Sequence, residues 1–177
     1  IPDADEGAYL GTVAKPFSQV MAGEIKIAST DDNTIDTVSG NLELDSATGT
    51  TTIDDNCNVN GKLTVTGGPI CIGDGSELTI SSGSITVTGS YHLVDTEGDA
   101  STDTLSKIEC ASYTKGQLLV LRTVASNRDV TVGHNDHAGE SYNIKCSANF
   151  TLNNAEDTAT FIWDGFWMRI AGKKDND

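Results

Sequence analysis

The stretch Ser82-Gly-Ser-Ile-Thr-Val87 decides the fold class, because two related stretches precede it at a regular interval. Ser39-Gly-Asn-Leu-Glu-Leu44 begins 21 residues before Asn60-Gly-Lys-Leu-Thr-Val65, which in turn begins 22 residues before the last copy. Each copy opens with a small polar residue and glycine and closes with an apolar–polar–apolar triplet. Such alternation after a turn-forming glycine is typical of short β-strands. The sequence therefore predicts a repetitive β-structure.

The repeat is too short to fold by itself. A unit of about 20 residues with two short strands cannot bury its own apolar face, so it must stack on neighbouring rungs or on other chains. Three chains that each contribute one short strand would enclose a core and cover the strand edges. We therefore expect a homotrimer with an intertwined shaft. A short β-solenoid within one chain is the alternative.

The pattern divides the chain into three regions. Residues 1–38 are predicted to form an N-terminal attachment and shaft-entry segment, residues 39–90 the repetitive β-shaft, and residues 91–177 a C-terminal β-sandwich tip domain. The predicted fold class is all-β, with a short β-helix-like shaft followed by a small β-sandwich. In the last region, strands are predicted at Tyr91–Asp95, Thr104–Cys110, Gln117–Val124, Asp129–Val132, Tyr142–Cys146, Phe150–Leu152, Thr158–Trp163 and Phe166–Ile170.

The sharpest local prediction is a hairpin in Phe161-Ile-Trp-Asp-Gly-Phe-Trp-Met168. The pair Asp164-Gly165 is typical of a two-residue type I′ turn. That turn would place Trp163 opposite Phe166. Period-2 alternation would then put one set of side chains on the core face. That set is Phe161, Trp163, Phe166 and Met168, with Ile162 and Trp167 on the other face.

The charge balance excludes some partners. With 26 acidic and 11 basic residues the chain has a net charge of −15. Binding to a nucleic-acid backbone needs the opposite sign, and an anionic membrane surface is disfavoured for the same reason. We expect neither nucleic-acid binding nor membrane insertion. The acidic surplus is interpreted as solubilising, with Ca²⁺ binding by clustered oxygens as the alternative.

The cysteines give no metal or redox motif. Cys57, Cys71, Cys110 and Cys146 show no CxxC spacing, which argues against a zinc ribbon or a thioredoxin-like site. Their even number permits two disulfides. Buried free thiols are the favoured interpretation, because the spacing matches no disulfide framework.

The sequence predicts that the protein is not an enzyme. Glycoside cleavage needs two carboxylates on either side of a sugar. The acid-rich stretches Asp31-Asp32, Asp54-Asp55 and Asp95–Asp99 all fall in predicted turns. The sequence contains no G-x-S-x-G elbow and no phosphate-binding glycine loop.

A candidate metal site lies in the loop Gly133-His-Asn-Asp-His-Ala-Gly-Glu140. His134, Asp136 and His137 combine imidazole and carboxylate ligands within a few residues. A solvated hairpin loop is the alternative. No cofactor is expected, apart from a structural metal ion at this site.

Carbohydrate contact is the other candidate function. Trp167, Tyr142 and Tyr113 could present rings to the C–H faces of sugars, although a small β-domain also uses aromatics for its core.

Several stretches resemble the fibre proteins of tailed bacteriophages. Leu10-Gly-Thr-Val-Ala-Lys-Pro-Phe-Ser-Gln-Val20, with Ala22-Gly-Glu-Ile-Lys-Ile27, is similar to a turn-and-strand module of fibre shafts. The Gly-Asn-Leu-Glu-Leu and Gly-Lys-Leu-Thr-Val rungs resemble shaft repeats. Gly116-Gln-Leu-Leu-Val-Leu121 and Ala159–Trp167 are similar to the β-domains that close such proteins.

This resemblance implies a structural fibre on the virion, in the tail or on the particle surface, made in the cytoplasm of the bacterial host. It implies a homotrimer that attaches to other virion proteins through the N-terminal region and contacts a host-surface glycan or protein at its tip. A head-decoration or baseplate-associated fibre is the first alternative. A polysaccharide-degrading tailspike is the second.

Overall fold

The computed structural model describes residues 42, 44, 50–53, 57–73 and 75–174. By its contacts the chain divides into two units, Ile1–Lys62 and Leu63–Asp177. The described residues contain eleven strands, all in the second unit, and one 3-10 turn at Glu97–Asp99. The strands are β1 (Glu77–Thr79), β2 (Ser84–Thr86), β3 (Tyr91–Asp95), β4 (Thr102–Leu105), β5 (Lys107–Glu109), β6 (Leu118–Thr123), β7 (Asp129–Val132), β8 (Ile144–Lys145), β9 (Phe150–Leu152), β10 (Thr158–Trp163) and β11 (Met168–Lys174).

Parallel pairing stacks β1 to β7 into a short β-solenoid. Strand β3 pairs in parallel with β1 on one side and with β6 on the other. Likewise β5 pairs with β2, and β7 pairs with β4. The chain thus makes about three turns, and equivalent strands of successive turns lie side by side. Apolar residues stack on apolar residues, as where Ile85 lies opposite Ile108 and Leu105 opposite Val132. The predicted all-β, β-helix-like class is confirmed.

Antiparallel strands complete two of the three sheets. Strand β10 pairs with β6 and with β11, and β9 pairs with β7. The result is a six-stranded sheet of order β1-β3-β6-β10-β11-β8, a three-stranded sheet β4-β7-β9 and a two-stranded sheet β2-β5. The added strands cover the edges of β6 and β7, which would otherwise be open to further pairing.

One hydrophobic core fills the space between the sheets. In β6, Leu119 and Leu121 are fully buried whereas Leu118 is 49% exposed. The same alternation buries Phe161 in β10 and Val130 in β7. Because burial of one such side chain contributes about 1.5–3 kcal/mol, these inward positions dominate the stability of the fold.

Four predicted strands match the structure at both ends: Tyr91–Asp95, Asp129–Val132, Phe150–Leu152 and Thr158–Trp163. The predicted strand Thr104–Cys110 is instead interrupted at Ser106. There, the N–H groups of Ser106 and Lys107 both donate to the carbonyl oxygen of Gly83, at 2.8 and 3.1 Å. Those two hydrogen bonds stabilise a bend of the solenoid backbone at Ser106. The strand therefore ends where the alternating pattern predicted that it would continue.

The predicted two-residue hairpin turn is wrong. Trp163 pairs with Met168 rather than with Phe166, so the loop has four residues, 164–167. The cause is the Asp164 side chain, whose Oδ1 accepts the N–H groups of Phe166 at 2.9 Å and Trp167 at 2.7 Å. Of the four residues predicted on the core face, Phe161, Trp163 and Met168 are buried, but Phe166 is 44% exposed.

The described segment 57–73 contains no strand, and its apolar side chains are exposed. All four cysteines are free, as favoured above. Cys110 and Cys146 are buried as expected, but Cys57 and Cys71 are exposed, because they lie in this segment. The predicted attachment segment 1–38 lies outside the described residues, as does most of the first repeat.

Among the described residues, no helix has the length and apolar character needed to cross a lipid bilayer.

Candidate functional site

The backbone of Tyr142 contacts the β10–β11 loop that carries Trp167, and both residues were predicted to contact sugars. The N–H of Tyr142 donates to the carbonyl oxygen of Phe166 at 2.8 Å, next to Trp167 in the β10–β11 loop. The Tyr142 ring stacks on Trp163, with 5.2 Å between ring centroids and an interplanar angle of 16°. Tyr142 has a φ of +63°, a conformation that is uncommon outside glycine. The Tyr142 ring therefore packs on the buried Trp163 at the edge of the core.

Two cations accompany Trp167. Lys145 Nζ lies 4.8 Å and Arg169 Cζ 5.0 Å from its ring centroid. Phe166 meets the indole edge-on at 5.1 Å. Cation–π contacts of this kind contribute roughly 0.5–1 kcal/mol at exposed sites. We call Lys145, Phe166, Trp167 and Arg169 the aromatic–basic surface.

Strand pairing explains why the cations meet. Strand β8 runs parallel to β11, with Ile144 opposite Met168 and Lys145 opposite Arg169. Since Ile144 and Met168 are fully buried, alternation directs the next residue of each strand to the outer face. Lys145 also donates a hydrogen bond to Asn135 Oδ1.

Asp164 stabilises the β10–β11 loop and holds the Arg169 side chain in place. Burial alone would raise the pKa of this carboxyl. The hydrogen bonds from the N–H groups of Trp167 and Phe166, with the paired Arg169 guanidinium, outweigh that effect and lower the pKa below its ordinary value. The carboxylate is therefore charged at neutral pH and holds Arg169 beside the indole.

Tyr113 does not belong to this surface. It is 9% exposed, and its hydroxyl donates to the carbonyl oxygen of Gly89. Burial, with a smaller contribution from Cys110, raises the pKa of Tyr113 to about 12. Its ring is part of the core, so it is not presented to a sugar.

The three predicted metal ligands point to different partners. His134 Nδ1 accepts the N–H of Cys146 at 3.1 Å, and Asp136 Oδ2 accepts the hydroxyl of Ser106 at 3.0 Å. His137 Nδ1 lies 3.6 Å from Glu140 Oε2. Within the described part of the chain, no three His, Cys, Asp or Glu side chains are grouped so as to hold a metal ion. The metal site stays a prediction from sequence.

The cations were not identified from the sequence, and their density gives no signal. Residues 145–174 hold four of the 11 basic residues, and the shorter stretch 107–128 holds four as well. The pairing of β8 with β11 then determines which of these cations meet Trp167.

A family comparison agrees with this architecture. Residues 77–168 match the family model described as the phage depolymerase C-terminal beta sandwich domain. The match covers more than half of the 177 residues and runs from β1 to the first residue of β11. The chain belongs to this family of phage tail proteins, and it is accordingly a virion-associated protein with a structural β-sandwich domain. A search of curated proteins found no matching relative.

Proposed function

We propose that this protein is a structural component of a phage tail fibre and that its C-terminal domain attaches to the host surface through the aromatic–basic surface. The observation that carries the proposal is the placement of Lys145 and Arg169 beside the Trp167 ring in a chain of net charge −15. The rest of the proposal follows from what this surface can bind.

The chemistry of the surface suits host glycans. Aromatic faces pack against the C–H groups of sugar rings, and Lys and Arg donate hydrogen bonds to hydroxyl and carboxylate oxygens. Phe166 is 44% exposed in the same loop. A large apolar side chain left in solvent beside two cations is typical of a contact surface.

Binding of labelled protein to host cells tests this role. We expect Trp167→Ala to reduce cell binding at least tenfold. As matched control, Trp163→Phe alters a buried tryptophan of the same hairpin and should leave binding within about twofold. Circular dichroism should show that both variants are folded. Undiminished cell binding by folded Trp167→Ala would contradict the proposal.

We also propose that three copies of the chain associate. Leu63, Val65, Ile70 and Ile72 are 47–70% exposed in a described segment without strands. On the outer face of the six-stranded sheet, Leu118 lies opposite Ile162, at 49% and 38% exposure. Burial of these groups between copies would supply the hydrophobic stabilisation that one chain cannot. Light scattering should give three times the chain mass of 18.6 kDa, and a monomer mass would exclude this assembly.

The position on the virion is part of the same proposal. We place the protein in the tail, joined to other virion proteins through its N-terminal region. A fibre at the baseplate or on the head is the alternative. Immunogold labelling of intact particles separates these locations, and labelling confined to the head would exclude the tail.

A second candidate function is a polysaccharide-degrading tailspike. The description of the matched family as a depolymerase domain favours it. Mixing the protein with purified host capsular polymer distinguishes the two candidates. Loss of viscosity with release of reducing ends would support the tailspike, whereas binding with unchanged viscosity would support attachment alone.

A further inference from the structure

Strand β2 is an edge strand, because in the described part of the chain it pairs with β5 alone. Native proteins commonly protect such edges with a charged residue or a proline. The three residues of β2, Ser84-Ile-Thr86, include neither. Its free edge is therefore suited to pairing with a further strand.

The hydrogen bonds to β5 show which backbone groups of β2 are already used. The N–H of Lys107 donates to the carbonyl oxygen of Gly83 at 3.1 Å. At the other end of the strand, the N–H of Val87 donates to the carbonyl oxygen of Glu109 at 2.8 Å. Since backbone groups alternate in direction along a strand, residues 83, 85 and 87 face β5, and residues 84 and 86 face the free edge.

The free edge presents the backbone of Thr86. Ser84 is occupied, because its N–H donates to the carbonyl oxygen of Ser81 at 3.1 Å and its own carbonyl oxygen accepts the N–H of Ser81 at 2.9 Å. No strand of the described residues lies on this side of Thr86. A parallel strand centred opposite Thr86 would bond both its N–H and its carbonyl oxygen.

The sequence contains a segment that matches this edge in pattern and register. Asn60-Gly-Lys-Leu-Thr-Val65 precedes Ser82-Gly-Ser-Ile-Thr-Val87, the stretch that contains β2, by 22 residues. In parallel pairing at that interval, Leu63 lies opposite Ile85 and Thr64 opposite Thr86. The apolar pair would extend the existing stack of Ile85 on Ile108.

Charge and composition also suit the segment to pairing. Residues 57–73 contain no acidic residue and one lysine, in a chain of net charge −15. Another copy can therefore accept the segment without like-charge repulsion. Pro69, which has no backbone N–H to donate, limits the added strand to the residues before it.

A single chain contains both the segment and the free edge, yet it does not pair them. Leu63 is 69% exposed and Val65 48% exposed, and the described residues 57–73 form no strand. The occupant of the edge is therefore sought in a second copy, in which the same edge is free.

We propose that residues 63–65 of one copy add to β2 of a second copy as a parallel strand, with Thr64 opposite Thr86. The inference rests on the proposed association of three copies and names the strand edge that joins them. Three such contacts close a ring, since each copy gives one segment and accepts one.

Disulfide cross-linking of the full chain tests this pairing. The exposed cysteines are first removed by Cys57→Ser and Cys71→Ser. One chain then receives Thr64→Cys and a longer tag, and the other receives Thr86→Cys. The two are co-expressed and oxidised with glutathione disulfide. Because opposite residues of neighbouring strands lie about 5 Å apart, which a disulfide can span, we expect a reducible cross-link between the long and the short chain.

Ser84→Cys in place of Thr86→Cys is the matched control. Ser84 lies two residues earlier in the same strand, so in the proposed register it is about 8 Å from position 64, beyond the reach of about 7 Å of a disulfide. The yield should fall at least tenfold. Equal yields would overturn the proposal. So would a chain with both Thr64→Cys and Thr86→Cys that forms the disulfide only within itself.

Dilution of two further variants tests the faces of the added strand. In the proposed register Leu63 lies on the inner face with the buried Ile85, and Thr64 on the outer face with the exposed Thr86. Leu63→Asn should raise the concentration at which the assembly dissociates at least tenfold, as measured by light scattering. Thr64→Asn should change it by less than about twofold. Equal effects of the two variants would overturn the proposal.

Mass and cross-link together separate this contact from the association itself. A mass of three chains without a cross-link between the long and the short chain would exclude the β2 edge and leave the association standing. A monomer mass would exclude the association and this contact with it.

Discussion

His92 is a fully buried polar residue whose two ring nitrogens both serve the backbone. Its Nε2 accepts the N–H groups of Thr88 at 3.2 Å and Gly89 at 3.0 Å. An acceptor at Nε2 requires the proton on Nδ1, which lies 3.1 Å from the carbonyl oxygen of Ser76. The ring therefore connects Ser76, just before β1, to the loop between β2 and β3 through hydrogen bonds.

Replacement of His92 by leucine should be strongly destabilising. The variant keeps most of the volume but leaves the N–H groups of Thr88 and Gly89 without their acceptor, so we expect a loss of about 2 kcal/mol in the free energy of unfolding. Urea denaturation measures it. His137→Leu, at a histidine that is 38% exposed, is the control and should change stability by less than about 0.5 kcal/mol. Similar values for the two variants would contradict the role assigned to His92.

Asp164 should make the stability of the β10–β11 loop depend on pH. Its pKa is lowered in the folded protein. The stabilisation is therefore complete above the ordinary aspartate pKa of about 3.9 and is lost as the pH falls through the lower folded value. We expect the wild type to lose stability below about pH 4.

Asp164→Asn is the matched control for this pH dependence. The amide oxygen can still accept the N–H groups of Phe166 and Trp167, but the charge is gone. The variant should be less stable than the wild type at pH 7, with a smaller difference at pH 2, as measured by thermal unfolding. A difference that does not change with pH would show that the charge of Asp164 does not contribute.

At the scale of the strand, β6 shows that alternate side chains contribute unequally to the free energy of unfolding. Leu118 and Leu121 are the same residue type on opposite faces, 49% and 0% exposed. Leu121→Ala leaves a cavity among β3, β6 and β10 and should cost about 2–5 kcal/mol in urea denaturation. Leu118→Ala should change the stability of one chain by less than about 0.5 kcal/mol. Comparable losses would mean that the outer face is already buried in the folded assembly.

Alternation predicted where the strands are, and it did not predict their partners. The strands Asp129–Val132 and Thr158–Trp163 were placed correctly because each alternates apolar and polar residues. Yet β7 pairs in parallel with β4, while β10 pairs antiparallel with β6. The apolar pattern of a strand indicates which of its faces is buried. The strand that it pairs with depends on the turns and on the packing of the whole domain. The repeat was found in residues 39–90, whereas β3 to β7 of the solenoid lie within residues 91–132, where the sequence shows no such repeat.

The candidate site was predicted in part, for the same reason. Trp167 was singled out by residue type, whereas Lys145 and Arg169 are 24 residues apart and meet only through the pairing of β8 with β11. Tyr113 lies in the core with its hydroxyl bonded to the carbonyl oxygen of Gly89, and nothing in its sequence context indicates that bond. Asp164 was assigned to a tight turn, since a side chain that caps two backbone N–H groups gives the same Asp-Gly signature.

At the scale of the molecule, the exposed segment before β1 should reveal whether copies associate. In a single chain the amides of Leu63–Ile72 have no strand partner among the described residues, so they should exchange with solvent rapidly. In a trimer that buries the segment, hydrogen exchange at these amides should be slowed at least a hundredfold, and dilution to monomer should remove the protection. Leu121 in β6 is the internal reference, since its amide should stay protected in both states. Fast exchange at Leu63–Ile72 in a confirmed trimer would place the contact between copies elsewhere.

Because equivalent strands stack in parallel, the length of the solenoid is set by its number of turns. Successive turns of the solenoid are related by a shift of about 4.8 Å, and each turn contacts only the turns beside it. Insertion of one complete turn between β2 and β3 would lengthen the molecule by that step and leave the antiparallel strands β9, β10 and β11 unchanged. If the proposed attachment function holds, each inserted turn would change the reach of the domain by one such step while the residues of the aromatic–basic surface stay the same.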